Sequence, residues 1–155
     1  MKKLFYLLLL LPFSMFLSCD KDEGFSPADL TITLSGVTQS NNIFYTIAGE
    51  NVSIDNLSIK ALDGKATDLA NVQFYLNGSP IVPTPGYDNL VFSTENFPEG
   101  AYFINITGNL LQEGTSIMIF TASYELKIVD NPDNIPADAP EIGTYSQTLR
   151  VINNK

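Results

Sequence analysis

Apolar side chains recur at every second position in short runs along most of this chain, which is the period of a pleated strand and not of a helix. In Asp29–Ser35, Leu30, Ile32 and Leu34 alternate with Thr31, Thr33 and Ser35, which predicts a half-buried strand. Ile43–Ala48 predicts a second. Asn51–Leu62 places Val52 and Ile54 on one phase and Leu57, Ile59 and Ala61 on the other; the change at Asp55-Asn56 predicts a bulge or turn. Asp63-Gly64 signals a turn. Val72, Phe74 and Leu76 share one face of the next strand. Asn77-Gly78 then supplies the positive φ angles of a tight hairpin, with a return beginning at Ile81-Val82. Pro80, Pro83 and Pro85 exclude a long central strand there, because proline donates nothing to a ladder. Asn89–Ser93 is a short strand. After Pro98-Glu99-Gly100, Ala101–Thr107 sets Tyr102, Ile104 and Ile106 on one face. Thr115–Val129 keeps Met118, Phe120, Ala122, Tyr124, Leu126 and Ile128 together. Asp130–Pro140, broken by Pro132, Pro136 and Pro140, predicts a loop, and Thr144–Ile152 a last strand with Tyr145, Leu149 and Val151 on one side. No segment carries a capped 3.6-residue apolar stripe. The pattern predicts one all-β domain over residues 29–152, an antiparallel sandwich of about seven to nine strands.

The first residues follow a different rule. Met1-Lys2-Lys3 is basic, and Leu4–Leu17 is an apolar run of 14 residues. A permanent helical span needs about 20, so the run predicts a signal peptide over residues 1–18. It ends in Phe16-Leu17-Ser18-Cys19, where small Ser18 directly precedes the only cysteine of the chain. This resembles a lipobox, with Phe16 in place of the usual Leu or Val. The resemblance implies that Cys19 is acylated and becomes the new amino terminus, held in a membrane by its acyl chains. The following Asp20-Lys21-Asp22-Glu23-Gly24 resembles the acidic surface-export stretch of lipoproteins of the Bacteroidota. That resemblance implies an outer-membrane address with the domain on the cell surface. Residues 19–28 read as a lipidated Cys and acidic linker.

Composition narrows the chemistry. The 155 residues include 17 acidic and 8 basic side chains and no histidine, for a net charge of −9. Loss of Lys2 and Lys3 with the signal peptide moves the charge to about −11. Such a surface repels phosphate backbones, which argues against nucleic-acid partners. Without histidine there is no Ser-His-Asp or Cys-His arrangement, and the usual zinc ligands are missing. Seventeen carboxylates leave a glycosidase-like pair conceivable, but no spacing marks one. Oxygens crowd Asp130-Asn131-Pro132-Asp133-Asn134, yet neither the spacing nor the glycine of a calcium loop is present. No catalytic residue, metal site or cofactor is expected.

What remains is aromatic. Phe44, Tyr45, Tyr75, Tyr87 and Phe103 lie out of step with, or outside, the strongest core faces. Tyr75, Tyr87 and Phe103 are the candidate binding residues, suited to stacking on sugar rings or anchoring a protein. Ile117 and Ile119 make Thr115–Phe120 apolar on both faces, the mark of a covered strand or a partner surface. The loops Ser79–Asn89 and Asp130–Gly143 would project from the scaffold as recognition loops.

Two stretches resemble bacterial immunoglobulin-like modules. Gly49-Glu50-Asn51-Val52-Ser53-Ile54, followed by Val72-Gln73-Phe74-Tyr75-Leu76-Asn77-Gly78-Ser79-Pro80-Ile81, is similar to their B and C strands. Phe97-Pro98-Glu99-Gly100-Ala101-Tyr102 is similar to their entry into strand F. The resemblance spans residues 29–129 and implies an immunoglobulin-like sandwich with Tyr102 as a tyrosine corner, its hydroxyl bonded to upstream backbone. The chain lacks the cysteine pair and tryptophan of antibody domains, and residues 130–155 lie outside the pattern. The function expected is a non-catalytic module binding glycan or protein at the outer membrane. The alternative is an assembly subunit, a pilus-like component or an accessory lipoprotein of a membrane complex.

Overall fold

The computed structural model describes residues 24–82, 89–140 and 143–149. The predicted signal peptide, Cys19, Asp20, Lys21, Asp22, Glu23, Tyr87 and the end of the last predicted strand lie outside them. The strands are β1 (Ala28–Ser35), β2 (Thr38–Ser40), β3 (Ile43–Ile47), β4 (Asn51–Ala61), β5 (Thr67–Leu76), β6 (Ser79–Pro80), β7 (Leu90–Ser93), β8 (Gly100–Gln112), β9 (Met118–Val129) and β10 (Gly143–Leu149). The only helix among the described residues is one 3₁₀ turn at Pro132–Asn134. The strands form two sheets, a four-stranded one in the order β10-β1-β4-β7 and a six-stranded one in the order β2-β3-β9-β8-β5-β6. The domain is an all-β sandwich, as the alternation predicts. The ten strands among the described residues exceed the expected seven to nine by β2, too short to produce a periodic signal, while the hairpin return, expected to begin at Ile81-Val82, is β6 at Ser79–Pro80.

Local chemistry sets the details. Asp55 is the bulge: Thr33 pairs with Asn56 and Leu34 with Ile54, so Asp55 has no opposite residue. This is where the apolar phase changes. Asn77 and Gly78 have φ of 46° and 82° and close the β5–β6 hairpin. β8 runs five residues past its expected end at Thr107, because Gly108 and Asn109 interrupt the pattern without interrupting the ladder to β9.

One pairing departs from the expectation of a purely antiparallel sandwich. β3 runs parallel to β9, with Ile43 opposite Glu125 and Ile47 opposite Val129. A period of two specifies which face a side chain takes, and says nothing about the direction of the neighbour.

The core lies between the sheets. Leu30, Ile32 and Leu34 from β1, Val52 from β4, Ile104 and Ile106 from β8 and Leu126 from β9 are all fully buried. Tyr124 crosses the core: its hydroxyl donates to the Leu30 carbonyl at 3.4 Å, and its ring meets Tyr145 edge-on at 5.5 Å. β10 approaches closely enough that a Cβ on Gly143 would sit 2.6 Å from the Phe44 ring.

Candidate binding face

β8 and β9 pair along nearly their whole length, and β5 pairs with β8 on its other side. Because side chains alternate across a strand, the outward positions of these three strands form rows. Ser123, Asn105 and Tyr75 make one row, and Thr121, Thr107 and Gln73 the next. Phe103 lies two residues from Asn105 and therefore on the same face, opposite Glu125. Residues displaced by two across neighbouring strands lie about 7–8 Å apart, within reach of aromatic side chains. The fold thus brings Tyr75 and Phe103 together.

The groups on this face are held in place. The Tyr75 hydroxyl donates to Gln73 Oε1 at 2.6 Å, which sets the tilt of the ring. Asn105 Oδ1 accepts from Ser123 Oγ at 2.9 Å, and Asn105 Nδ2 reaches the Phe103 carbonyl at 3.5 Å. Asn77 Oδ1 accepts the Phe103 N–H at 2.8 Å, and the Asn77 N–H donates to the Phe103 carbonyl at 3.0 Å. These bonds tie the hairpin turn to the strand that carries Phe103, whose side chain is 46% exposed. The two central rows contain only amides, hydroxyls and one phenol. In a chain of net charge −9 this is an uncharged window, with Glu125 and Lys127 at its β9 side.

Two other aromatic residues that fall out of step with the strongest core faces are buried. Phe44 is fully buried and Tyr45 is 9% exposed. β3 is covered on both sides: Phe44 points inward to Tyr124, at 6.4 Å between ring centres, while Tyr45 lines an outer recess with Val37, Ile47 and Ile135. The recess has a volume of about 410 Å³, and Ile135 comes from the loop expected to project. That loop is drawn back onto β2 by a bond from the Gln39 N–H to the Pro140 carbonyl. Asn131 uses its side chain to cap the 3₁₀ turn by accepting the Asp133 N–H at 3.0 Å. Among the described residues no three potential metal-ligating side chains cluster, there or elsewhere.

Ile117 and Ile119 are open, at 68% and 78% exposure, so the strand apolar on both faces is uncovered in the isolated chain. Tyr102 is half-buried. Its hydroxyl donates to the Pro98 carbonyl at 2.8 Å and its ring meets Phe97 edge-on at 5.4 Å, the geometry expected of a tyrosine corner. Sequence reasoning missed Asn105, Gln73, Thr107 and Ser123 as members of the face. Their polar character was visible, but their neighbours follow from strand pairing. Neither a protein-family model nor a curated protein matches the chain.

Proposed function

We propose that this chain is a non-catalytic lipoprotein of the bacterial outer membrane, anchored through Cys19, whose immunoglobulin-like sandwich binds a neutral glycan on the outward face of β5, β8 and β9. The observation that carries the reading is the convergence of Phe103 and Tyr75 beside two uncharged rows of oriented amides and hydroxyls, with Glu125 opposite Phe103 at the rim. Sugar rings have an apolar C–H face and a polar hydroxyl edge. An exposed aromatic ring takes the first, and side-chain amides take the second. Uronic or sialic sugars would meet the field of an acidic protein, so a neutral chain fits best. The Tyr102–Pro98 bond supports the immunoglobulin-like reading. The lack of histidine supports a binder over a hydrolase, since catalysis near neutral pH usually uses a group that titrates there.

Affinity electrophoresis of the protein through gels containing neutral β-glucan, mannan or galactan tests the ligand. Retardation by at least one of them is expected, and Phe103→Ala combined with Tyr75→Ala should weaken it by roughly tenfold, the loss of a buried anchor. Retardation that survives the double substitution removes this face as the site. Capture of a protein ligand lost in the same variant would keep the site and change the ligand class. Cys19→Ala should move the protein from the membrane fraction to the soluble one. Alanine at Asp20, Asp22 and Glu23 should reduce its digestion by protease added to intact cells.

One feature favours the assembly-subunit reading. β3 covers only Glu125–Val129 of β9, so among the described residues Met118–Tyr124 has no strand partner on the side away from β8. Such an edge can accept a strand from another chain. Concentration-dependent association in size-exclusion chromatography would support that reading over a solitary binder.

A further inference from the structure

Five peptide units separate Cys19 from Gly24, and fully extended they span at most about 18 Å. The contacts of the next residues define where that tether meets the body. Phe25 packs against the core. The Ser26 N–H donates to Gln112 Oε1 at 2.7 Å, and Gln112 Nε2 donates back to the Ser26 carbonyl at 3.3 Å. Ser26 Oγ donates to the Asp63 carboxylate, and the Leu62 N–H donates to the Pro27 carbonyl at 2.9 Å. Gln112 is itself buried. The chain therefore enters the sandwich between the β4–β5 turn and the β8–β9 turn, which are joined by a bond from the Glu113 N–H to the Ala66 carbonyl.

That end is also where exposed aliphatic side chains gather. Five large apolar residues stand open among the described ones. Leu62 is on the β4–β5 turn, Ile117 immediately precedes β9, and Ile119 lies opposite Asn109 near the end of β8. Of the remaining two, Phe103 belongs to the binding face, and Val82 borders a recess with Phe97. Leu62, Ile117 and Ile119 are 59%, 68% and 78% exposed. Branched aliphatic groups gain by leaving water, and a headgroup boundary within tether reach gives them the means.

We infer that Leu62, Ile117 and Ile119 form a membrane-resting edge, by which the sandwich lies against the bilayer that holds its own anchor. This rests on the reading of Cys19 as lipidated. The bilayer surface that fits has zwitterionic headgroups. Asp63 and Glu113 lie on the same two turns and Asp20, Asp22 and Glu23 in the tether, and all would be repelled by anionic lipid. Lys65, 3.9 Å from Asp63, offsets only part of this. Resting on that end leaves Phe103 and Tyr75, toward the other end of β8 and β5, directed away from the membrane.

The full lipidated protein, reconstituted in phosphatidylcholine vesicles, tests the inference. The acylated Cys19 has no free thiol, so Leu62→Cys, Ile117→Cys, Ile119→Cys and the control Ala101→Cys each offer one position for a fluorescent label. Ala101 is exposed near the opposite end of β8. Spin-labelled lipid should quench the first three roughly twofold or more above the control, as insertion at a headgroup boundary requires. Adding Ile117→Ser with Ile119→Ser should return quenching at position 62 to the control level. Protein that floats with the vesicles while all four labels are quenched alike overturns the membrane-resting edge and leaves the anchor intact. Labels shielded from both spin-labelled lipid and aqueous iodide would show a protein cover, and also overturn it. Protein that does not float overturns the anchor, and the inference with it.

Discussion

The two sheets are alike inside and unlike outside. Toward the core each presents a row of buried aliphatic side chains, Leu30, Ile32 and Leu34 in one, Ile104, Ile106 and Leu110 in the other. The outward face of the four-stranded sheet is a hydroxyl ladder closed upon itself. Thr31 and Ser146 pair at 2.7 Å, Thr33 and Thr144 at 3.3 Å, and Thr148 donates to Asp29 at 2.6 Å. The outward face of the six-stranded sheet also has cross-strand bonds, but it leaves Phe103 and Ile119 exposed to solvent, with Ile117 just before β9. Hydroxyls that satisfy one another across strands have little left to offer a ligand. An aromatic ring held out by a bonded backbone does. The four-stranded sheet is a wall, and the six-stranded sheet presents.

The strongest test of the wall is steric. Gly143→Ala places a methyl against the Phe44 ring and should lower stability by about 2–3 kcal/mol through overpacking. Urea unfolding would register this as a lower midpoint at unchanged slope. A neutral result would mean that β10 sits loosely on the core and that the wall is weaker than described.

Tyr102→Phe probes the presenting sheet. It removes the bond to the Pro98 carbonyl at a half-buried position and should lower stability by about 1 kcal/mol. No change in the unfolding midpoint would remove Tyr102 from the set of residues that fix the start of β8.

Tyr124 joins the two sheets and makes the contrast sensitive to pH. Burial, and then the neighbouring Tyr145, push its ionisation well above the ordinary value of 10.0. The folded state therefore holds this proton more tightly than the unfolded chain. The stability it contributes is complete below about pH 10 and is lost as pH rises beyond that value. Tyr124→Phe should cost about 0.5–1 kcal/mol at neutral pH, because the bond to Leu30 is long. The same variant should also flatten the alkaline decline measured by unfolding at rising pH. A decline of undiminished steepness would assign it to other groups.

The smallest expected effect is on the hydroxyl ladder. Thr31→Ala breaks one exposed cross-strand bond and should change stability by no more than about 0.5 kcal/mol, with glycan retention untouched. A loss of retention in this variant would show that the wall also presents, and the comparison would fail.

Much of this was legible in the chain because it is local. The alternation in Asp29–Ser35 placed Leu30, Ile32 and Leu34 inside. A change of phase located the Asp55 bulge, Asn77-Gly78 specified its turn, and a tyrosine after Pro98-Glu99-Gly100 found the Pro98 carbonyl four residues back. Each depends on neighbours a few bonds away, where backbone geometry leaves few options.

What tertiary structure decided is pairing. Period two assigns a side chain to a face but does not choose the partner strand or its direction, so the parallel contact of β3 with β9 could not be read. The same limit hid Phe44 and Tyr45, because burial of both faces of β3 comes from the opposite sheet and from Ile135, which lies 90 residues beyond Tyr45. Tyr75 and Phe103 could each be chosen by composition; that they share one face depends on the register of β5 with β8, which side chains far apart in sequence set by packing. The entry of the chain at Ser26, beside Leu62 and Ile117, was likewise decided by Gln112, 86 residues away.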